Sequence, residues 1–307
     1  MRDSTRGYAA GQGVRVRAAH PMMMVAAAVT LAGGCGETGT RSAASPVADT
    51  AAAVPVTTAS PAPGSYGAFA YADSSGARLL VLSEPTHPDS VVEAVCQSRA
   101  RLPVRFVGHQ ARSPDDNGRQ RASNFANEAG AVFEVARGSV RPDETCFLAT
   151  AALLALGPLR TADSGPTAAD SSCAPGDSAR LSRAQARRVV SCARIGAVDE
   201  LTHVVAVEFE RRGDSALASL VLTDPDGMTS LDFPAVHQPE GDTWRVGDGG
   251  TFDSSAFDLL FIISGPSGRA IAVTWGAEEG ESLTLAVSVT ARDTFVPVVQ
   301  GYRYWLQ

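Results

Sequence analysis

Phe257-Asp258-Leu259-Leu260-Phe261-Ile262-Ile263-Ser264, then Gly265-Pro266-Ser267-Gly268, then Arg269-Ala270-Ile271-Ala272-Val273-Thr274-Trp275 is the stretch that decides the fold class. Two short apolar runs, rich in β-branched and aromatic residues, meet at a Gly-Pro-Ser-Gly turn, which predicts an antiparallel hairpin. The turn lacks the G-x-S-x-G pattern of a nucleophile elbow and no helix follows it, so its serine reads as a turn residue. The same alternation of strand and turn extends outward. Thr202 to Glu210 turns at Arg212-Gly213-Asp214 into Ser215 to Thr223, and Asp224-Pro225-Asp226-Gly227 leads to Met228 to Phe233. Trp244 to Val246 is a short strand, and Ser282 to Thr290 and Phe295 to Trp305 close the chain. The expectation is a mainly β protein with two helices, α+β by count, whose C-terminal half is an antiparallel sandwich or partly closed barrel.

The N-terminal half reads less regularly. Tyr66 to Ala72 and Ala77 to Ser83 flank Asp73-Ser74-Ser75-Gly76 as a hairpin. Ser90-Val91-Val92-Glu93 fits a capping box and predicts a helix that Pro103 ends. Val104 to Gly108 reads as a strand, His109 to Asn127 as a polar surface loop, and Ala131 to Ala136 with Thr145 to Leu154 as a second strand pair. Ser182-Arg183-Ala184-Gln185 is another capping box, predicting a helix to about Arg194. Each expected helix carries a cysteine, Cys96 or Cys192, but the spacings that follow do not match, so the likeness of the halves reads as coincidence. The expected organisation is a leader over 1–34, a tether over 35–64, a β-rich subdomain with one helix over 65–157, a linker or long loop over 158–180, and a helix with a β-meander over 181–307.

The start of the chain gives an address. Arg15, Arg17 and His20 precede the apolar run Met22 to Ala32, and small residues follow, as in a secretory signal peptide. With Cys35 closing Leu31-Ala32-Gly33-Gly34-Cys35, the segment resembles the lipobox of bacterial lipoproteins. It departs from that pattern three positions before the cysteine, where Ala32 replaces the usual Leu, Val or Ile. The resemblance covers about the first 35 residues and implies cleavage before Cys35, lipidation of that cysteine, and membrane attachment at the cell envelope. Residues 36 to about 64 are Ala, Thr, Ser, Pro and Gly, which bury too little surface to offset the entropy of ordering. No apolar run approaches the roughly 20 residues of a spanning helix.

Composition excludes several chemistries. The chain has no lysine, so no Schiff-base lysine, Ser-Lys dyad, S-x-x-K site or Walker A loop can operate. A net charge of −7 argues against nucleic acid, which demands a basic patch. His87, His109, His203 and His237 show no metal-ligand spacing, although His203 and His237 could meet in space. Asp224 and Asp226, with Asp232 downstream, lack a third acid at the expected spacing and the closing Glu of a calcium loop, and Asp-Pro-Asp-Gly is a good turn sequence. Glu208 and Glu210 share one strand face and read as solvated, as do Glu278, Glu279 and Glu281 around Gly280. Arg183, Arg187 and Arg194 fall near one helical stripe that could meet an anion. Alternation at the C-terminus puts Tyr302 and Tyr304 on one face and Arg303 and Trp305 on the other, a possible partner surface or a packing device. No residue reads as catalytic, cofactor-binding or metal-binding, and no cofactor is expected.

With Cys35 spent on lipid, Cys96, Cys146, Cys173 and Cys192 are an even set in an exported chain, and two disulfides are expected. Three connectivities are possible; loop closure favours Cys96 with Cys146 and Cys173 with Cys192. The expected function is an exported, lipid-anchored envelope protein that acts as a non-enzymatic binding or structural module for a protein or cell-wall partner. The alternative is a secreted hydrolase using carboxylate or histidine chemistry. Because residues 36 to 63 have little to bury, a chain beginning at Gly64 should melt within about a degree of the tethered protein by differential scanning calorimetry. A large loss of stability would show that the tether packs on the body.

Overall fold

The chain is described by a computed structural model over residues 64–164, 173, 175–237, 243–244, 252–288 and 294–305. The leader, Cys35 and the tether up to residue 63 lie outside these residues, as does the end of the short strand read at Trp244 to Val246. The described chain is mainly β with two helices, and every strand pair in its sheets is antiparallel.

Six strands form a closed barrel: β1 (Gly67–Ala72), β2 (Arg78–Val81), β3 (Val91–Cys96), β4 (Arg101–Gln110), β5 (Gly130–Val135) and β6 (Thr145–Thr150). Their order around the wall is β1-β2-β5-β4-β3-β6, and pairing of β1 with β6 closes it. The interior is lined by small and medium apolar groups, including Ala68, Ala70, Leu79, Ala94, Phe133 and Leu148. Cys96 and Cys146 face each other across β3 and β6 and are joined by a disulfide inside this barrel. Phe69 and Phe147 point the other way, outward, edge to face at 4.9 Å.

Two expectations are corrected here. The segment from Ser90 is a strand, not a helix: a single 3-10 turn over Pro88–Ser90 leads directly into β3. Ser90 donates its hydroxyl to the carbonyl of His87 instead of capping a helix, and Glu93 pairs across the sheet with Arg101 at 2.8 Å. Val91, Val92 and Val95 lose less rotamer freedom in a strand than in a helix, and pairing with β4 and β6 settles the choice. The second correction concerns β5 and β6, which are not neighbours; β5 lies between β2 and β4.

After β6 the chain turns through α1 (Ala151–Leu154), capped by the Thr150 hydroxyl at 3.3 Å from Leu153 N, into β7 (Leu159–Arg160) and β8 (Asp163–Ser164). α2 (Pro175–Ala184) opens on proline with Asp177 in its first turn, as helix starts favour. It ends where Ala186 enters the left-handed region (φ 51°) and Arg187 N reaches back to Ser182 O, a Schellman-type stop. Ser182 therefore sits near the end of a helix rather than at its start, and residues read as helix up to Arg194 are the strand β9 (Val189–Ala197). Cys173 and Cys192 are disulfide-bonded beneath α2, in a core with Leu181, Val205 and Phe209.

β10 (His203–Arg212), β11 (Ser215–Asp224) and β12 (Gly227–Val236) complete one sheet in the order β12-β11-β10-β9-β8. β13 (Phe257–Gly265), β14 (Gly268–Gly276), β15 (Gly280–Ser288) and β16 (Val296–Tyr304) form a second in the order β16-β15-β14-β13-β7. The two make a sandwich around Leu220, Leu222, Ile262, Ile271 and Trp275. The closed barrel is thus the N-terminal half, and the C-terminal half is the sandwich.

Strands β13, β14 and β15 are buried on both faces, whereas β16 is mostly exposed. Ile262 and Ile271 face the sandwich core, whereas Phe261, Ala272, Leu283 and Leu285 face the barrel and meet its outward Phe147 at 5.6 Å. β7 and α1 pass close beneath the β13–β14 turn, where a Cβ on Gly265 would lie 2.7 Å from the Gly157 Cα, so the crossing demands glycine.

The β11–β12 turn is tied to the other sheet by a buried ion pair. Asp224 accepts from Arg269 Nε at 2.7 Å, Arg269 Nη2 at 3.0 Å and Ser264 Oγ at 2.6 Å. Burial opposes its ionisation, but the bonds from Arg269 and Ser264 outweigh that and hold the carboxyl below its ordinary value. Its oxygens are therefore taken, and the Asp224-Asp226 turn is a clamp between sheets. A depressed carboxyl contributes stability that is present above the unfolded value near pH 4 and lost as pH falls through the lower folded one. Asp224→Asn should cost about 3 kcal/mol at pH 7 in denaturant titrations, and its gap from the parent should close as pH drops below about 4. A gap that stays constant into acid would show that ionisation of Asp224 contributes nothing.

Candidate functional site

A cleft of about 390 Å³ opens where the barrel, the doubly buried sheet and the last strand meet, with Gln97, Arg121, Asp143, Asp258, Glu281 and Trp305 in its lining. Glu281 and Arg303 lie at its base, each only 3% exposed. Glu281 is the second residue of β15 and shares the strand face of Leu283 and Leu285, so alternation carries it inward. It was read as part of a solvated loop, and the structure corrects this.

Arg303 enters from β16. Its Nη2 donates to Asp143 Oδ1 at 2.6 Å, its Nη1 to the Asp143 carbonyl at 2.8 Å and to Thr145 Oγ1 at 2.7 Å, and its Nε to the Gln120 carbonyl at 3.0 Å. The guanidinium is flanked by the rings of Tyr71 and Trp305, each centroid 5.1 Å away, a cation–π arrangement on both sides. Glu281 lies 3.9 Å from Arg303 Nη1; it accepts from the Thr145 hydroxyl at Oε1 and from Gln97 Nε2 at 3.1 Å at Oε2. Burial raises the Glu281 carboxyl above its ordinary value against the pull of Thr145 and Arg303, and burial likewise lowers Arg303. Tyr71, whose hydroxyl donates to Glu128 at 2.6 Å, is pushed far above the usual phenol range, chiefly by burial.

The C-terminal residues divide by alternation. Arg303 faces the barrel, Trp305 lies half-buried over its guanidinium, and the Tyr304 backbone N–H donates to Gln120 Oε1 at 2.6 Å. Tyr302 is 48% exposed and rests the end of its ring against Gly280, where any Cβ would meet the Arg303 carbonyl at 2.1 Å. Tyr302, Tyr304 and Trp305 therefore do not form one flat aromatic patch. At the cleft rim, Asp258 pairs with Arg99 at 3.4 Å and Arg121 approaches Asp143 at 3.7 Å.

The other residues singled out in the sequence remain apart. His203 is buried at the start of β10 opposite Thr223, whereas His237 lies beyond the far end of β12 and joins Asp214 through its backbone. Burial lowers the His203 value, and Arg194 adds to this. His109 pairs with Glu84 on the surface at 2.6 Å. Glu210 pairs with Arg188 at 3.2 Å, and Glu208, half-buried on the strand face of Val204 and Ala206, is raised by burial. Arg194 lies on β9 and so shares no helix with Arg183, while Arg187 donates to the Ser215 carbonyl at 3.0 Å. Among the described residues, no three His, Cys, Asp or Glu side chains are placed to hold a metal ion.

Sequence reasoning missed Gln97, Asp143, Thr145, Asp258, Glu281 and Arg303 as one constellation. A signal existed for two of them: Glu281 keeps step with Leu283 and Leu285, and Arg303 is a charge inside a strand. Compared with known protein families, curated proteins and solved structures, the chain matches none.

Arg303→Met should cost about 3–5 kcal/mol, because Asp143 and Glu281 would lose their buried cation. Glu281→Gln keeps an oxygen for the Thr145 hydroxyl, meets Gln97 through its amide N–H once the Gln97 amide rotates to offer its oxygen, and removes a charge that burial disfavours, so at pH 7 its melting temperature should equal or exceed the parent's. The raised carboxyl makes the folded state bind the extra proton, so the parent should lose stability relative to Glu281→Gln as pH rises above the unfolded carboxyl range. Calorimetry between pH 4 and 8 checks the sign, and a parent that gains on the variant with rising pH would contradict it.

Proposed function

We propose that this protein is an exported, lipid-anchored binding module of the cell envelope, held to membrane through Cys35 and presenting its folded body to a protein or cell-wall partner. The two disulfides belong to an oxidising, exported compartment. Among the described residues, no helix is long and apolar enough to cross a membrane, and the lipobox-like segment supplies another means of attachment. The observation that carries the binding reading is the state of Glu281. Burial raises its carboxyl toward the range of a proton donor, yet both of its oxygens are occupied and it is only 3% exposed at the base of the cleft. A general acid or base must reach the proton it transfers. Glu281 instead ties β15 to the barrel through Thr145 and Gln97, which suits a rigid body that presents surfaces rather than one that performs chemistry.

Expression of Cys35→Ser should yield an exported protein that leaves the membrane fraction, while the parent stays through a high-salt wash, because acyl chains and not charge hold it. A variant that remains with the membrane would defeat the anchor. Hydrolysis of a cell-wall polymer by the purified protein, abolished by Glu281→Gln, would defeat the non-enzymatic reading.

A further inference from the structure

The structure holds a second cleft, of about 680 Å³, on the outer side of the sandwich between α2 and β12. Its volume lies in the range of small-molecule sites. One wall is the helix, which contributes Arg180, Arg183 and Gln185; the other is the strand, which contributes Ser230 and Asp232. Leu181, Val221 and Met228 supply an apolar floor.

The charges in this cleft are not spent on one another. Asp232 accepts from Ser219 Oγ at 2.6 Å and from Gln185 Nε2 at 3.3 Å to each oxygen, and both donors are neutral. Among the described residues no cation pairs with it. Arg183 has no acidic partner among the described residues either, although Arg180 reaches Asp177 at 3.9 Å along the helix. Asp224 with Arg269 and Asp143 with Arg303 are, by contrast, ion-paired. An anion oriented by neutral donors on one wall and an open guanidinium on the other are what a ligand carrying both charges requires. A carboxylate matches the planar fork of arginine, and an ammonium matches the carboxylate of Asp232.

We infer that this cleft binds a zwitterionic ligand, an amino acid or short peptide, with its carboxylate on Arg183, its ammonium on Asp232 and its apolar part over Leu181, Val221 and Met228. The inference rests on the binding-module reading and names the ligand class for one of its surfaces.

Calorimetric titration of the full-length protein with trialanine, L-alanine, N-acetyl-trialanine and trialanine amide tests it. Trialanine should bind, and blocking either end should weaken binding about tenfold or more. Arg183→Gln should remove the preference for a free carboxylate while keeping that for a free amine, and Asp232→Asn should do the reverse. L-alanine binding as tightly as trialanine would identify an amino-acid site, and tighter binding of trialanine a peptide site. Asp232→Asn can keep its bonds to Ser219 and Gln185; should it fail to fold, the exposed Arg183→Gln still decides the carboxylate half. No heat with any probe up to about 10 mM, or equal affinity for blocked and free peptides, overturns the site. If Cys35-dependent membrane partition persists in that case, the anchored-module reading survives and only this cleft is lost.

Discussion

Strands β13, β14 and β15 are apolar on both faces, and such a sheet is stable only when both are covered. Phe261, Ala272, Leu283 and Leu285 demand one cover and Ile262, Ile271 and Trp275 another. The barrel supplies the first through Phe69, Phe147 and Ala149, and the sheet of β9 to β12 supplies the second. Much else follows from that requirement. The short strands β7 and β8 each complete an edge, β7 beside β13 and β8 beside β9, so the segment between the two halves is built into both sheets. The described residues accordingly lie in one compact unit.

Covering a sheet on both sides leaves its rims as the places where polar groups must be matched. One ion pair and one ion triad lie there. Asp224 with Arg269 fastens the two sheets of the sandwich, and Arg303 with Asp143 and Glu281 fastens the last strand to the barrel. Buried pairs of this kind contribute little net stability compared with apolar groups of the same shape, but removing one partner is costly. Their value here lies in register: an Arg303 displaced by one residue along β16 would face solvent and leave Asp143 and Glu281 unmatched. The disulfides act in the same sense at other points, Cys96–Cys146 inside the barrel and Cys173–Cys192 beneath α2.

The two clefts differ in how their charges are used. Near Trp305, every acid and arginine at the base is engaged by a neighbour, which makes that region a fastening with a recess above it. Beside α2, Asp232 is held by Ser219 and Gln185, and among the described residues neither it nor Arg183 has a partner of opposite charge; that difference, rather than size, marks the second cleft as the place for a ligand.

Much of the architecture was legible in local sequence. The hairpins at Gly265-Pro266-Ser267-Gly268 and Asp224-Pro225-Asp226-Gly227, the C-terminal strand series and the stock of four cysteines all depend on residues within a few positions of one another, and turn chemistry and alternation act at that range. The capping boxes at Ser90 and Ser182 misled for the complementary reason. They are equally local, but β-branched Val91 and Val189 found strand partners in Thr150 and Phe209, and pairing outweighed a cap worth about 1 kcal/mol.

By itself the sequence determined most of the C-terminal strands, the turn positions and the absence of any lysine-dependent chemistry. Only the tertiary structure decided that the first six strands close into a barrel, that Glu281 is buried rather than solvated, and that Arg183 faces Asp232 across a cleft. Thr145 and Glu281 are 136 residues apart and Arg303 and Asp143 are 160 apart. Contacts of that span carry no local periodicity; they form when two faces that cannot remain in water meet, and that meeting is a property of the whole chain.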